Sequence, residues 1–305
     1  MALVVCSTTM RPEYLPTRWE TPPCPFCGSA ERLFVERYGY RLRFTHARCA
    51  GCGLLYQCPR PRYDEDFIRA AYADYFTASE GFRIGDATGS STYDEWVEEL
   101  EEIARHDRLR TAIVDVGCNM GNFLHAALRH YPRAFGTELS ERQAAFVEEH
   151  VGVPVFVGQF DRWETGERFS CVHMSHVIEH VPDPVAWLRK ARELLAAGGV
   201  LVLNVPNGDS LDRRWKRALQ RARLRRGGWK EAWRTPDHLF EPTIPSLLRC
   251  LREQGFEVID HYTYSRRDPT ARSAWSRLYQ RRLRQGSNLR VYARRAPPHP
   301  GPLPR

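Results

Sequence analysis

The sequence predicts an α/β fold with a parallel sheet, preceded by a small cysteine-rich unit. Through the middle of the 305-residue chain, apolar runs of strand length alternate with helix-length stretches. Such alternation is typical of parallel strands whose two faces are covered by helices. Upstream of it, two Cys-x-x-Cys-Gly motifs occur about twenty residues apart, a spacing typical of a four-thiolate metal site.

The cysteine motifs predict a zinc ribbon over residues 20–60. Each motif turns both of its sulfur atoms toward one centre, and the glycine that follows allows the left-handed backbone that closes the turn. Alternating residues at 32–35 and 40–45 indicate a hairpin between the motifs. Disulfides are disfavoured in a reducing compartment, and four thiolates leave no open position for catalysis. We therefore expect a structural zinc ion bound by Cys24, Cys27, Cys49 and Cys52.

The other elements follow in chain order. Residues 61–91, rich in Pro, Tyr and Asp, form a linker or gate. A helix at 92–106 has an apolar stripe with carboxylates on the opposite face. Strands are predicted at 112–116, 134–137, 153–157, 171–175, 200–205, 256–264 and 288–293. Helices are predicted to begin near Asn122, Glu141, Arg162 and Pro184, and a last one spans 241–255.

Composition and charge exclude some classes of protein. No window approaches about eighteen uninterrupted apolar residues, so a membrane span is excluded. The N-terminus has no secretory signal pattern, and we expect a cytoplasmic protein. The net charge of +8 is uneven, because the chain from Val205 onward has 23 Lys and Arg against nine Asp and Glu. The acidic remainder offers no continuous cationic track, which disfavours nucleic acid as a partner.

A glycine-rich turn follows the first strand of the predicted sheet. Gly117 and Gly121 allow the backbone to approach a ligand at the switch point of a parallel sheet, where ligands bind. Glu138 ends the next strand, where a carboxylate accepts hydrogen bonds from a ribose diol. The G-x-x-x-G spacing lacks the pattern that brings a pyrophosphate to a helix N-terminus. We therefore expect a nucleoside-containing cofactor that is not a dinucleotide.

The chain resembles the class I S-adenosylmethionine-dependent methyltransferases in five ordered stretches: VDVGCNMGNFL, FGTELS, VGQF, SHVIEHVPDP and LLAAGGVLVLNVPN. The resemblance is to their small-molecule branch, which includes ubiquinone-pathway O-methyltransferases. It implies a Rossmann-like seven-stranded sheet with an antiparallel last strand in a domain at 92–305. Asn119 replaces the family's middle glycine and is expected to add a contact. The implied S-adenosylmethionine contacts are Asp115, Gly117, Cys118, Asn119, Gly121, Glu138, Leu139, Gln159, Phe160 and Ser175.

The stretch SHVIEHVPDP lies beside the transferred methyl group in this family. It lacks the D/N/S-P-P-Y/F signature of members that act on base or amide nitrogen. His180 suits a general base for a hydroxyl or an activated carbon acid, and Glu179 and His238 complete the candidate catalytic set. Two alternatives stay open. The first is a divalent metal ion that ionises a hydroxyl acceptor, with His176, Glu179, His180 and His238 as its ligands. The second is a purely structural role, in which these side chains only form hydrogen bonds within the loop.

The resemblance implies that an arginine-rich insert at 208–236 covers the acceptor site as a lid. Its cations favour an anionic small molecule, with a lipid-linked acceptor, RNA and a merely solvated helix as alternatives. The sequence therefore predicts O-methylation of a glycan, sugar or secondary metabolite. C-methylation of a nucleotide-linked sugar is the alternative reaction. An RNA-associated zinc-ribbon protein is the alternative class, and the intact cofactor motifs disfavour a degenerate scaffold.

Overall fold

The computed structural model of the protein describes residues 18–38, 44–64, 83–85, 93–211, 213–215, 218, 238–265 and 285–296. The predicted linker at 61–91 and the predicted lid at 208–236 lie largely outside these ranges. Part of the hairpin predicted between the cysteine motifs, residues 39–43, also lies outside them. Within the described ranges, no helix is long and apolar enough to cross a membrane.

Five short strands come first: β1 Trp19–Glu20, β2 Arg32–Tyr38, β3 Phe44–Cys49, β4 Leu55–Gln57 and β5 Arg60–Pro61. β2 pairs antiparallel with β3, and β3 pairs antiparallel with β4. The pairing of β2 with β3 confirms the hairpin predicted between the two cysteine motifs. β1 and β5 form a separate antiparallel pair.

The rest of the described chain alternates helices and strands. Its elements are α1 Tyr93–His106, β6 Ile113–Val116, α2 Asn122–Ala127, β7 Ala134–Glu138, α3 Glu141–His150, β8 Val155–Val157, β9 Phe169–Ser175, α4 Pro184–Leu194, β10 Leu195–Pro206, β11 Phe240–Glu241, α5 Ile244–Glu253, β12 Phe256–Tyr264 and β13 Asn288–Arg295. The helix predicted near Arg162 is wrong, since the chain makes only a 3-10 turn at Phe160–Arg162. Phe160 and Trp163 are both buried, so the apolar residues of this segment fill the core without a helical stripe.

Seven of these strands form the central sheet, in the order β12-β13-β10-β9-β6-β7-β8. The pairs from β10 through β8 are parallel. β13 is antiparallel to both of its neighbours, which confirms the predicted antiparallel last strand. The strand order reverses between β6 and β9, and the carboxyl ends of strands at such a switch point form the ligand crevice of an open α/β sheet.

Local sequence explains where the helices begin. Asp183 caps α4 by accepting a hydrogen bond from a backbone amide of the first turn, and Pro184 occupies the first turn, where its missing N–H costs nothing. Thr243 and Ser246 form a reciprocal capping box at the start of α5. α5 therefore begins three residues later than the sequence predicted, which leaves room for β11 before it.

The cysteine-rich unit and the central fold are joined through β11. β11 pairs antiparallel with β4 and completes a four-stranded sheet, in the order β11-β4-β3-β2. The backbone N–H of Gln57 donates to the carbonyl of Leu239 at 2.8 Å. Phe26 and Phe240 pack edge to face, with ring centroids 5.2 Å apart. The two units therefore share a sheet and a hydrophobic core.

Candidate active site

The loop between β6 and α2 is shaped by three residues with left-handed backbone. Gly117, Asn119 and Gly121 have φ values of +72°, +49° and +76°. A Cβ on Gly117 would lie 2.7 Å from Val177 Cγ2, so only glycine fits where this loop meets the segment after β9. Asparagine adopts a positive φ more readily than most other residues that have a Cβ. The Oδ1 of Asn119 accepts a hydrogen bond from Gln143 Nε2 at 3.2 Å.

Glu138 ends β7 with a buried carboxylate that the loops orient. It accepts hydrogen bonds from the backbone amides of Asn119 at 2.9 Å, Leu139 at 2.7 Å and Ser140 at 3.3 Å. Burial raises the pKa of Glu138, an effect that these amides oppose. The carboxylate is thus fixed beside the glycine loop before any ligand arrives.

Other predicted cofactor contacts lie close to the same strand ends, some at the surface and some in the core. The amide of Gly158 donates to the carbonyl of Glu138 at 2.9 Å, which brings Gln159 and Phe160, two of the predicted cofactor contacts, close to the end of β7. Of these, Phe160 is fully buried, whereas Leu139 at the rim is 41% exposed. The Cys118 thiol faces inward, since a Cβ on Gly136 would lie 2.7 Å from its Sγ.

Asp115, which is buried, and Ser175 lie near the carboxyl ends of β6 and β9, on the two sides of the switch point. The Asp115 carboxylate contacts His173 Nδ1 at 2.7 Å, and Ser175 Oγ accepts from Asn204 Nδ2 at 3.3 Å. His173 also contacts Glu99 of α1 at 3.1 Å. The prediction that the carboxylates of this helix face away from the core is therefore wrong for Glu99, because a histidine balances its charge inside the protein.

The candidate catalytic residues lie together just after β9. Glu179 is fully buried in a 3-10 turn at Ile178–His180, and its Oε1 lies 3.0 Å from His176 Nδ1. The rings of His180 and His238 meet edge to face with centroids 5.0 Å apart. One ligand atom from each of Glu179, His180 and His238 lies within 4.8 Å of the others. The structure thus brings together all three residues that the sequence proposed.

The histidines hold Glu179 in its charged form. Burial alone would raise the pKa of this carboxyl, but the hydrogen bond from His176 and the nearby charges of His180 and His238 outweigh burial and lower it to about 2. His176 reaches this position with φ of +56°, a strained conformation for a residue that is not glycine. At neutral pH the turn therefore presents a fixed negative charge to the two rings.

His238 is held from its other side by Glu241 of β11. Glu241 Oε1 lies 3.5 Å from His238 Nδ1 and 2.6 Å from Arg213 Nη1. Burial alone would lower the pKa of His238, but Glu241 and Glu179 outweigh burial and raise it. His238 therefore favours its protonated form more than His in water does, which suits a charged partner better than a base.

The cysteine-rich unit reaches this site directly. Gln57 Nε2 donates to the carbonyl of His238 at 2.8 Å, and the amide of Leu239 donates to the carbonyl of Glu179 at 2.8 Å. Gln57 and Glu241 were not predicted from the sequence. Gln57 meets His238 about 180 residues away, and Glu241, which contacts His238 three residues before it, was assigned to the last predicted helix. A histidine inside the apolar strand FSCVHMS was a usable signal for His173, because a buried ring needs polar partners.

The four motif cysteines converge as a metal site would require. Cys24 Sγ lies 3.5 Å from Cys52 Sγ, Cys27 Sγ lies 3.5 Å from Cys49 Sγ, and all four sulfur atoms lie within 4.8 Å of one another. Tetrahedral Zn–S bonds of about 2.3 Å separate sulfur atoms by about 3.8 Å. The glycines after the motifs have φ of +71° and +79°, as predicted. The residues fit a zinc ion.

Comparison with known proteins agrees with this architecture. A family model described as a methyltransferase domain matches residues 90–261, more than half of the chain. The ubiquinone biosynthesis O-methyltransferase of Cereibacter sphaeroides (strain ATCC 17025) is 30% identical over 101 residues, covering 31% of this chain and 41% of that protein. That of Ruegeria pomeroyi is 32% identical over 110 residues, covering 32% and 38%. The chain spans about two fifths of the length of these curated relatives.

Among solved structures, the N-methyltransferase NodS from Bradyrhizobium japonicum WM9, in complex with S-adenosylhomocysteine, is 13% identical. The match covers 73% of this chain and 97% of that one, with a TM-score of 0.49. This distant likeness says nothing of the acceptor. The family match and the strand order together show that the chain belongs to the class I S-adenosylmethionine-dependent methyltransferases. The family and the fold class predicted from the sequence are confirmed.

Proposed function

We propose that the protein transfers the methyl group of S-adenosylmethionine to a hydroxyl oxygen of a small-molecule biosynthetic intermediate such as a glycan, a sugar or a secondary metabolite. The observation that carries the proposal is the buried Glu179 carboxylate with His180 and His238 beside it, at the carboxyl end of β9. This cluster supplies a base next to the cofactor crevice. Two relatives named as O-methyltransferases support oxygen as the atom that is methylated.

The crevice residues fit S-adenosylmethionine. Glu138 offers an oriented carboxylate to the ribose diol, and Asp115 offers one to the methionine ammonium group. Gly117 lets the cofactor loop pack closely against Val177 in the segment after β9. When bound, S-adenosylmethionine supplies an electrophilic methyl group on a positively charged sulfur. The protein's own task is therefore to align the acceptor and remove its proton.

His180 performs the proton transfer in this proposal. Its ring accepts the hydroxyl proton as the acceptor oxygen attacks, and the buried Glu179 carboxylate stabilises the imidazolium that forms. His238 meets the His180 ring edge-on and limits its rotation. The cysteine-rich unit, with a structural zinc ion on its four thiolates, holds His238 through Gln57. The anionic-acceptor lid at 208–236 stays a prediction.

The cofactor assignment is tested by calorimetry with S-adenosylhomocysteine. Glu138→Gln is expected to weaken its binding by about 10- to 100-fold, because a hydrogen bond to a charged group contributes about 1.5–3 kcal/mol. Glu167→Gln is the matched control, since Glu167 pairs with Arg133 at the surface. Equal affinity in wild type and Glu138→Gln would contradict the assignment.

The acceptor assignment is tested with methyl-labelled S-adenosylmethionine and pools of nucleotide-linked sugars, phosphorylated sugars, phenols and RNA. We expect label in a small molecule, with the methyl carbon bonded to oxygen in its NMR spectrum. A methyl group bonded to carbon would establish C-methylation instead. Label in RNA alone would overturn the small-molecule proposal.

A second candidate is a metal-assisted reaction at the same cluster. It is favoured by Glu179 Oε2, which is buried and has no hydrogen-bond partner in the part of the chain that the structure describes. A divalent ion on Glu179, His180 and His238 would lower the pKa of an acceptor hydroxyl. The general-base proposal predicts one zinc per chain in metal analysis and a kcat unchanged by added Mg²⁺ or Mn²⁺. A second bound ion that Glu179→Gln removes would establish the metal-assisted reaction.

A further inference from the structure

A buried histidine lies directly below the cofactor loop. His173 of β9 pairs in register with Asp115 of β6, and its side chain is 1% exposed. The ring of Phe123 from α2 stacks on the imidazole, with centroids 3.9 Å apart. A polar ring in the middle of the central sheet is costly unless both of its nitrogen atoms find partners.

Both nitrogen atoms of the imidazole face carboxylates. Nδ1 lies 2.7 Å from Asp115 Oδ1, and Nε2 lies 3.1 Å from Glu99 Oε1. An ionised carboxylate only accepts hydrogen bonds, so the imidazolium alone can donate to both at once. Burial by itself would lower the pKa of His173, but Asp115 and Glu99 outweigh burial and raise it to about 9.

Glu99 is fixed and charge-balanced from the other side. Arg290 Nη2 lies 2.9 Å from Glu99 Oε2, and Asn204 Nδ2 donates to Glu99 Oε1 at 2.5 Å. Burial alone would raise the pKa of Glu99, but Arg290 and His173 hold it well below its usual range. Asp115 and Glu99 thus face His173 and Arg290 in one buried cluster, and Glu102 meets Arg290 at its edge, so each buried charge has an opposite charge beside it.

Asp115 is the member of this cluster at the cofactor crevice. Burial raises the pKa of its carboxyl, and His173 opposes that rise, whereas the carboxylate of Glu99 adds to it. Glu138 of β7 and the Cys118 thiol face it as further acidic groups. Removal of the imidazolium would raise the pKa of this carboxyl further, and a neutral acid attracts an ammonium group poorly.

We propose that His173, held by Glu99, is a positioning residue for the cofactor: it orients the Asp115 carboxylate and keeps it ionised toward the methionine ammonium group. The proposal rests on the proposed function, because it takes Asp115 as a contact of S-adenosylmethionine. It also gives α1 a role, since Glu99 connects that helix to the cofactor site through His173.

The test is the pH dependence of S-adenosylhomocysteine binding by calorimetry between pH 6.5 and 8.5. Wild type is expected to bind with nearly constant affinity, because the raised pKa of His173, about 9, keeps its imidazolium mostly protonated over this range. His173→Gln is expected to bind at least about tenfold more weakly at the acidic end, which corresponds to the loss of one charge-assisted hydrogen bond. Its affinity should recover as the pH rises and Asp115 ionises. Glu99→Gln, with a weaker imidazolium, should show the same trend with smaller amplitude.

Glu102→Gln is the matched control, since Glu102 lies on the same helix and contacts Arg290 but not His173. In an Asp115→Asn background, His173→Gln should cause no further loss of affinity for S-adenosylhomocysteine.

A folded His173→Gln protein with wild-type affinity, or with a loss of affinity that does not depend on pH, would overturn the proposal. If the His173→Gln protein does not fold, the Glu99→Gln variant decides: wild-type affinity at every pH in that variant would overturn the proposal. Failure of wild type to bind would instead overturn the assigned cofactor.

Discussion

Replacing Cys52 by serine is expected to abolish zinc binding and unfold the cysteine-rich unit. Structural zinc contributes about 10–16 kcal/mol in isolated zinc fingers, and an ordinary domain is stable by only about 5–15 kcal/mol. The four motif cysteines pack in the same hydrophobic cluster as Phe26, Leu54 and Tyr56, so loss of the ion disturbs that core as well. Metal analysis should give one zinc per chain in wild type and none in the variant, together with a large fall in Tm.

The loss of zinc should extend to the active site. β4 would no longer pair with β11, and the carbonyl of His238 would lose its hydrogen bond from Gln57. Binding of S-adenosylhomocysteine should suffer less than kcat, since the loops after β6 and β7 belong to the other unit. Cys250→Ser is the control, because Cys250 is buried in α5 outside the four-cysteine cluster. A Cys52→Ser protein with one zinc and the wild-type Tm would refute the zinc site.

The central sheet was predictable because its signals are local. Each inner strand is a continuous apolar run, and such a run is stable only where helices cover both faces. The cofactor loop was predictable for a related reason, since Gly117 occupies a position where any Cβ would meet Val177. Sequence periodicity and glycine placement record such constraints directly.

Contacts between distant segments left no comparable signal. β11 has only two residues, and it exists because β4 offers an unpaired edge about 180 residues upstream. Glu99 looks like any solvent-facing glutamate of an amphipathic helix, yet it is 2% exposed. Its burial depends on Arg290 and His173, which a helical pattern cannot reveal. The chemistry of the site could thus be proposed from the sequence, whereas the residues that support it could not.

His180→Ala is expected to lower kcat by about 100- to 10,000-fold, the usual contribution of a positioned general base. The affinity for S-adenosylhomocysteine should stay at the wild-type value, because His180 has no part in the proposed cofactor contacts. His238→Ala should lower kcat less, since His238 orients the His180 ring, and its raised pKa favours the protonated form, which cannot accept a proton. Steady-state kinetics on the acceptor found in the labelling experiment measure both effects.

His150→Ala provides the control, because His150 is an exposed histidine at the end of α3, with a side chain that is 46% exposed. Full activity in both His180→Ala and His238→Ala would end the general-base proposal. A large fall in kcat for His238→Ala with little change for His180→Ala would make His238 the general base and His180 the residue that orients it. The Glu179→Gln variant tests what these two cases share. Glu179 carries its charge down to about pH 2, and the variant removes the charge that stabilises an imidazolium on either ring, so kcat must fall whichever histidine takes the proton.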